Sequence, residues 1–244
     1  MKKIVVIFLS SIVFIIAIWG VNPFSHYRET SGLFNPEYND LETGIFTQSN
    51  GVIVVKALTR MPKVKANMVR WWFADYMQTT ADYQKWHPTA HVWMSWENKR
   101  EGEIIGASHL VHEYIGNELQ KLRIQFVDPV EFFPDYTPSK NETLLCARAG
   151  ELERDLNLTT MCHYIRDTEF GAEMRSIFWL GHVAKREGNE QVRSIEGLIG
   201  NTALARYFLL NTSLASDLMT HAIEEMGNLA DFLPQLYEDN QPTK

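Results

Sequence analysis

From about Ser213 to Tyr237 the chain reads as one long helix, and this helix carries charge where apolar side chains belong. At 100° per residue, Leu214, Leu218, Leu229 and Phe232 fall within about 60° of one another. His221 and Glu225 fall on that same stripe, while Asp217, Thr220, Glu224, Asp231 and Gln235 occupy the opposite arc. A glutamate on a core-facing stripe is expensive unless it is paired or holds a metal. The i, i+4 spacing stacks the imidazole and the carboxylate on one face, so they can share an ion or simply pair with each other. Whatever the chain folds into must cover this stripe and also satisfy the two polar groups.

The rest of the pattern supplies strands to cover it. Gly51 to Leu58 is a continuous β-branched run, and His91–Trp96, Gly106–Ile115, Lys121–Val127, Thr160–Arg166 and Glu173–Val183 are strand-like. Lys63 to Trp86 lacks internal Gly and Pro and reads as one long helix stopped before Pro88. Asp128 to Ser139 holds three prolines and reads as a loop, and Glu151 to Leu156 is helix-prone. Residues 22–50 have no periodicity and read as a linker or irregular arm, leaving residues 51–240 as the domain. Strands bracketed by long helices predict an α+β fold.

A second polar cluster lies upstream. Tyr83, Trp86, His87, Pro88 and His91 fall where the first helix gives way to a strand. His91 is placed on one strand face with Trp93 and Ser95. His109, Val111, Glu113 and Ile115 alternate along one face of the next strand, with His112 and Tyr114 on the other. One histidine of the first cluster, His87 or His91, would join Glu113, His221 and Glu225 in a nitrogen and oxygen set suited to zinc or another divalent ion. Each histidine taken singly is better explained by an ordinary hydrogen bond in the core or at the surface than as a ligand.

Four segments together resemble a known family. They are Trp71-Trp72-Phe73 with Tyr83-x-x-Trp86-His87-Pro88-x-x-His91; His112 to Gly116; Gly171-x-Glu173-Met174-Arg175-Ser176-x-Phe178-Trp179-Leu180-Gly181; and His221-x-x-x-Glu225-Met226-x-Asn228-Leu229-x-x-Phe232-Leu233-Pro234. In order, over roughly residues 50–237, they resemble the 2,4-diacetylphloroglucinol hydrolase family, which includes phloretin hydrolase. The resemblance implies a helix-grip fold similar to birch-pollen allergens and START domains, with a long C-terminal helix across a curved antiparallel sheet. It implies a zinc-dependent hydrolase cleaving a carbon–carbon bond between an acyl group and a phenolic ring, with one Zn2+ per chain. The implied metal ligands are His91, Glu113, His221 and Glu225, with Tyr83 and His163 contacting substrate. The substrate would be a small acylated phenol or related ketone, and a homodimer is left open. One departure stands out: a second cavity tyrosine expected near Phe178 or Trp179 is missing. The alternative class is a non-catalytic helix-grip carrier of an apolar ligand, its metal structural or absent.

The N-terminus departs from a soluble enzyme. Lys2 and Lys3 precede an uncharged run from Ile4 to Val21, which at about 1.5 Å per residue spans roughly 27 Å. The run is longer than an ordinary signal-peptide core, lacks an A-x-A site and ends near Trp19, so residues 1–21 read as a signal-anchor or signal peptide. Either reading exports the remainder. Outside the cytoplasm Cys146 and Cys162 can pair, and Asn141, Asn157 and Asn211 fit the glycosylation pattern. The formal charge of -7 without any basic block excludes a nucleic-acid footprint.

Overall fold

The computed structural model describes residues 32–241; the apolar run Ile4–Val21 and the first part of the expected linker lie outside them. Among the described residues no helix is long and apolar enough to cross a membrane. Among the described residues nine strands form one antiparallel sheet: β1 Gly44–Thr47, β2 Ile53–Pro62, β3 His91–Glu97, β4 Ser108–Ile115, β5 Glu118–Val127, β6 Glu142–Glu151, β7 Leu156–Asp167, β8 Gly171–Glu187 and β9 Glu190–Val192. Their order is β1-β2-β8-β7-β6-β5-β4-β3, with β9 beside β8. The chain closes with α5, Thr212–Asp239, started by the Asn211 side chain accepting from the Ser213 N–H.

Helix α5 touches both β2 and β4. These strands stand five steps apart in the sheet order, about 24 Å if the sheet were flat. A helix about 10 Å across reaches both only if the sheet curls around it. The arrangement is therefore the helix-grip type. Between helix and sheet lies a core built from Trp72, Tyr83, Val111, Ile165, Met174, Met226, Leu229 and Leu233. The contact face of α5 differs somewhat from the predicted stripe. Ala215, Ala222, Met226, Leu229 and Leu233 are buried with His221 and Glu225, whereas Leu214 is exposed and Asp217 half-buried.

The outer face of the sheet is covered too, which explains the unbroken apolar run in β2. Val52 and Val54 pack outward with Leu33, Phe132, Phe133 and Trp179, whereas Ile53 and Val55 pack on the side of α5. A strand buried on both faces has no need of polar alternation. Cys146 and Cys162 are directly opposite on β6 and β7 within this outer cluster and form a disulfide.

Two expected helices are corrected. The helix over Lys63–Trp86 is three pieces: α1 Ala66–Trp71, a π turn Trp72–Tyr76 closed by Met77 N–H to Trp72 O at 3.0 Å, and α2 Thr80–Trp86. Thr79 and Asp82 form a reciprocal capping box, so a new helix starts where the old one ends. The stretch Glu151–Leu156 is no helix but the bend joining β6 to β7. Of the expected linker or irregular arm, residues 32–50 are described, and they form an arm: β1 pairs with β2, and the Arg175 guanidinium ties the preceding segment through Leu33 O and the Glu42 carboxylate. Finally, two short helices, α3 Ile195–Gly200 and α4 Ala203–Leu209, precede α5.

Candidate metal centre

The polar groups of the sequence reading arrive from three directions. His91 opens β3 directly opposite Glu113 on β4. A register shift between His91 and Trp93 breaks the alternation expected for β3: His91 and Met94 turn inward, whereas Trp93 is exposed. A bulge re-aims one side chain without changing the rest of the strand. His221 and Glu225 come from α5, one turn apart. Helix α2 braces this side, since the Trp86 indole N–H donates to the Glu225 carbonyl at 2.8 Å.

Four distances define the cluster. His91 Nε2 lies 3.8 Å from Glu113 Oε2 and 3.6 Å from Glu225 Oε2. His221 Nε2 lies 4.0 Å and 3.8 Å from the same two oxygens. The His91, Glu113 and His221 ligand atoms all fall within 4.8 Å of one another, and all three residues are buried. These separations are too long for hydrogen bonds. They come close to the roughly 3.4 Å edge of a tetrahedron around an ion with bonds of about 2.1 Å.

The donor chemistry agrees. His91 Nδ1 is 2.8 Å from the Tyr83 carbonyl, which can only accept, so Nδ1 carries the hydrogen and Nε2 the lone pair. That Nε2 is buried without a hydrogen-bond partner, facing two carboxylates. A lone pair aimed at carboxylate oxygens is repulsive unless a proton or a cation lies between them. Nitrogen fixed from behind by a backbone carbonyl is also how metal-binding histidines are oriented. Burial raises the Glu225 pKa to about 8; His221 opposes the rise and Glu113 adds to it. Two carboxylates in a dry pocket need a proton or a cation, and the residues present fit a divalent ion.

His87 is placed differently. It is buried, but its Nε2 lies 3.3 Å from Glu224 Oε2, and its ring stacks on that of His221 at 5.1 Å. It backs the cluster and stands outside the group of converging atoms.

Tyr83 belongs to the centre. Its ring stacks on His91 with centroids 3.6 Å apart, and its hydroxyl donates to Glu113 Oε2. Burial, then the charges of Glu113 and Glu225, hold its pKa well above the usual phenol value. The phenol therefore keeps its proton at neutral pH.

A cavity of about 370 Å³ opens beside these groups, walled mainly by Phe73, Leu122, Ile124, Met161, Leu180 and Leu218. His163 lies in its wall, its Nδ1 2.7 Å from Ser176 Oγ, and burial lowers its pKa to about 4. Phe178 and His163 meet nearly perpendicular with ring centroids 5.8 Å apart, so the wall carries a phenyl ring where the resemblance implies a tyrosine. His109, buried and edge-on to Tyr83 at 5.1 Å, also lines the cavity. Its position two and four residues from Val111 and Glu113 was the available signal. Leu209, Leu210 and Asn211 complete the wall from the unforeseen α4–α5 junction.

A helix gripped by a curled antiparallel sheet, with imidazoles and carboxylates in the wall of an apolar cavity, defines a small-molecule site with a place for a cation. The chain belongs to the family described as the DAPG hydrolase PhiG domain, which matches residues 24–238. It is 25% identical to the 2,4-diacetylphloroglucinol hydrolase of Pseudomonas protegens over 87% of this chain and 73% of that one. It is 26% identical to the phloretin hydrolase of Eubacterium ramulus over 85% and 74%. Among solved structures, Ara h 8.0201 is similar with a TM-score of 0.44 and 8% identity, covering 75% of this chain and 99% of that one.

Proposed function

We propose that this protein is a zinc-dependent hydrolase that breaks a carbon–carbon bond between an acyl group and a polyphenolic ring, or a related ketone. The observation that carries the reading is the convergence of His91, Glu113, His221 and Glu225 in the wall of an apolar cavity, beside the Tyr83 hydroxyl. The names of the relatives point to the same substrate class. His91 and His221 would hold the ion through Nε2, and Glu113 and Glu225 through carboxylate oxygens. A divalent ion there supplies Lewis acidity to a carbonyl and acidity to water.

The chain's own groups do the rest. In the hydrolysis, the oxygen of water bonds to the acyl carbon as one water O–H bond breaks, and the proton released replaces the one that the ring carbon takes up. The electron pair of the broken bond stays on the ring carbon, which then takes a proton. A ring bearing hydroxyls in a 1,3 relation can stabilise that pair through its keto form. Tyr83 holds a proton at neutral pH and, pinned by Glu113, can deliver it at a fixed point. His163 is neutral and can hold a phenolic oxygen or move its proton. The apolar walls exclude bulk water from the reacting bond.

The decisive experiment is metal analysis of purified protein, followed by acid release from a panel of acylphloroglucinols. About one zinc per chain with acid release is expected. Metal-free protein that only binds apolar ligands would make it a carrier instead.

The same reading puts the domain outside the cytoplasm, tethered through Ile4–Val21. Support comes from the apolar run and from the Cys146–Cys162 disulfide, a bond favoured in oxidising compartments. The full-length chain should stay with membranes through carbonate extraction; release as soluble protein would contradict the tether.

A further inference from the structure

Helix α4 is built inside out. Its buried side chain is an arginine, Arg206, whereas Leu204, Tyr207, Phe208 and Leu209 are 68–80% exposed. In α3, Ile195 and Ile199 are exposed as well. An ordinary surface helix does the reverse.

The helix pair is nevertheless held firmly. Arg206 donates to Gly181 O at 2.8 Å, Asn50 O at 3.1 Å and Asn201 Oδ1 at 3.0 Å, tying α4 to β8 and to the β1–β2 turn. Gly200 lets α3 close on the sheet, since a Cβ there would come within 2.6 Å of Val183. Ser194 and Thr202 cap the two helices. The apolar side chains are thus presented outward on a fixed platform, with the Tyr207 and Phe208 rings 5.3 Å apart, and exposed apolar side chains grouped on one short helix pair mark an apolar partner.

Two observations select that partner. Leu209, at the end of the face, and Leu210 beside it also line the cavity, so the platform borders the site. The same chain carries the apolar run Ile4–Val21, separated from Gly32 by ten residues, which reach at most about 35 Å. A bilayer holding that run is therefore within reach of the domain.

We infer that the α3–α4 face seats on the lipid bilayer, at the acyl-chain border, so that the cavity opens next to the membrane and takes apolar substrates from it. This goes beyond the proposed reaction and rests on the anchor reading of Ile4–Val21. The formal charge of -7 makes the contact hydrophobic in origin, independent of anionic headgroups.

The test uses the full chain in phosphatidylcholine vesicles. Both native cysteines are paired, so a single fluorophore can be placed at Phe208→Cys, at Ile199→Cys or, as a reference, at Val130→Cys on the turn after β5. Acyl-chain spin labels should quench the first two and leave the third bright. Emission at Phe208 and Ile199 that responds only to an aqueous quencher would overturn the docking. Protection from both quenchers would overturn it in favour of a second copy or the chain's own N-terminal run. Equal lipid quenching at all three positions would also overturn it. Loss of metal or hydrolysis would leave these readouts unaffected, so the dock and the reaction fail separately.

Discussion

At the scale of single residues, the centre is a balance of two imidazoles against two carboxylates, and each ligand should be individually indispensable. If the proposed function holds, replacing His91, His221 or Glu225 by alanine removes the metal and the hydrolysis together, as read by metal content and acid release. His87→Ala should keep the metal and lose at most part of the activity, because His87 faces Glu224 from behind the His221 ring. Metal lost in His87→Ala but retained in His91→Ala would reverse the assignment. Phe178 gives a second test. It lies in the cavity wall beside His163, so Phe178→Tyr adds a hydroxyl near the place where the family resemblance expects one. One added hydrogen bond of about 1 kcal/mol predicts a roughly fivefold lower KM for polyhydroxylated substrates. An unchanged KM would mean that the new hydroxyl points away from the substrate.

At the scale of elements, what was legible in the sequence was whatever local periodicity records. The i, i+4 pair on α5 and the alternation of His109, Val111 and Glu113 placed three of the four converging residues on their correct elements and faces. The bulge that turns His91 inward left no periodic trace, because a one-residue irregularity is set by the neighbouring strand. The break in the first helix did leave one. Thr79 and Asp82 have capping-box spacing, but the surrounding apolar residues read as a continuation. Helices α3 and α4 were hidden for a different reason: pattern reading assumes apolar residues face a core, and here they face outward. Thr79→Ala should test the break, since it removes one half of the box at the start of α2. A loss of about 1 kcal/mol is expected from the denaturation midpoint, with metal content retained. A neutral outcome would mean that packing of Tyr83 and Trp86 alone sets that helix start.

At the scale of the molecule, the fold encloses imidazoles that it cannot afford to charge. Burial, with Arg206 and Arg148 adding, lowers the His182 pKa to about 3. An unfolded chain binds this proton near 6.5. Between about 6.5 and 3 the unfolded state therefore binds a proton that the folded state refuses, and stability falls as the pH drops. Each such histidine contributes a slope of about 1.4 kcal/mol per pH unit well below 6.5. Urea denaturation at pH 7, 6 and 5 should show the decline, and His182→Gln should flatten it by the equivalent of one proton. The same slope in variant and parent would place the acid sensitivity elsewhere.

The single arginine that ties α4 to the sheet has a consequence for how such proteins diversify. Arg206 reaches β8 and the β1–β2 turn mainly through backbone carbonyls, and those acceptors persist whatever side chains surround them. The helix pair can therefore change its outward residues and its share of the cavity wall without disturbing the strands and helix that carry the four converging groups. A lineage could exchange substrates by rewriting the outward residues of this short helix pair and leaving the reactive centre alone.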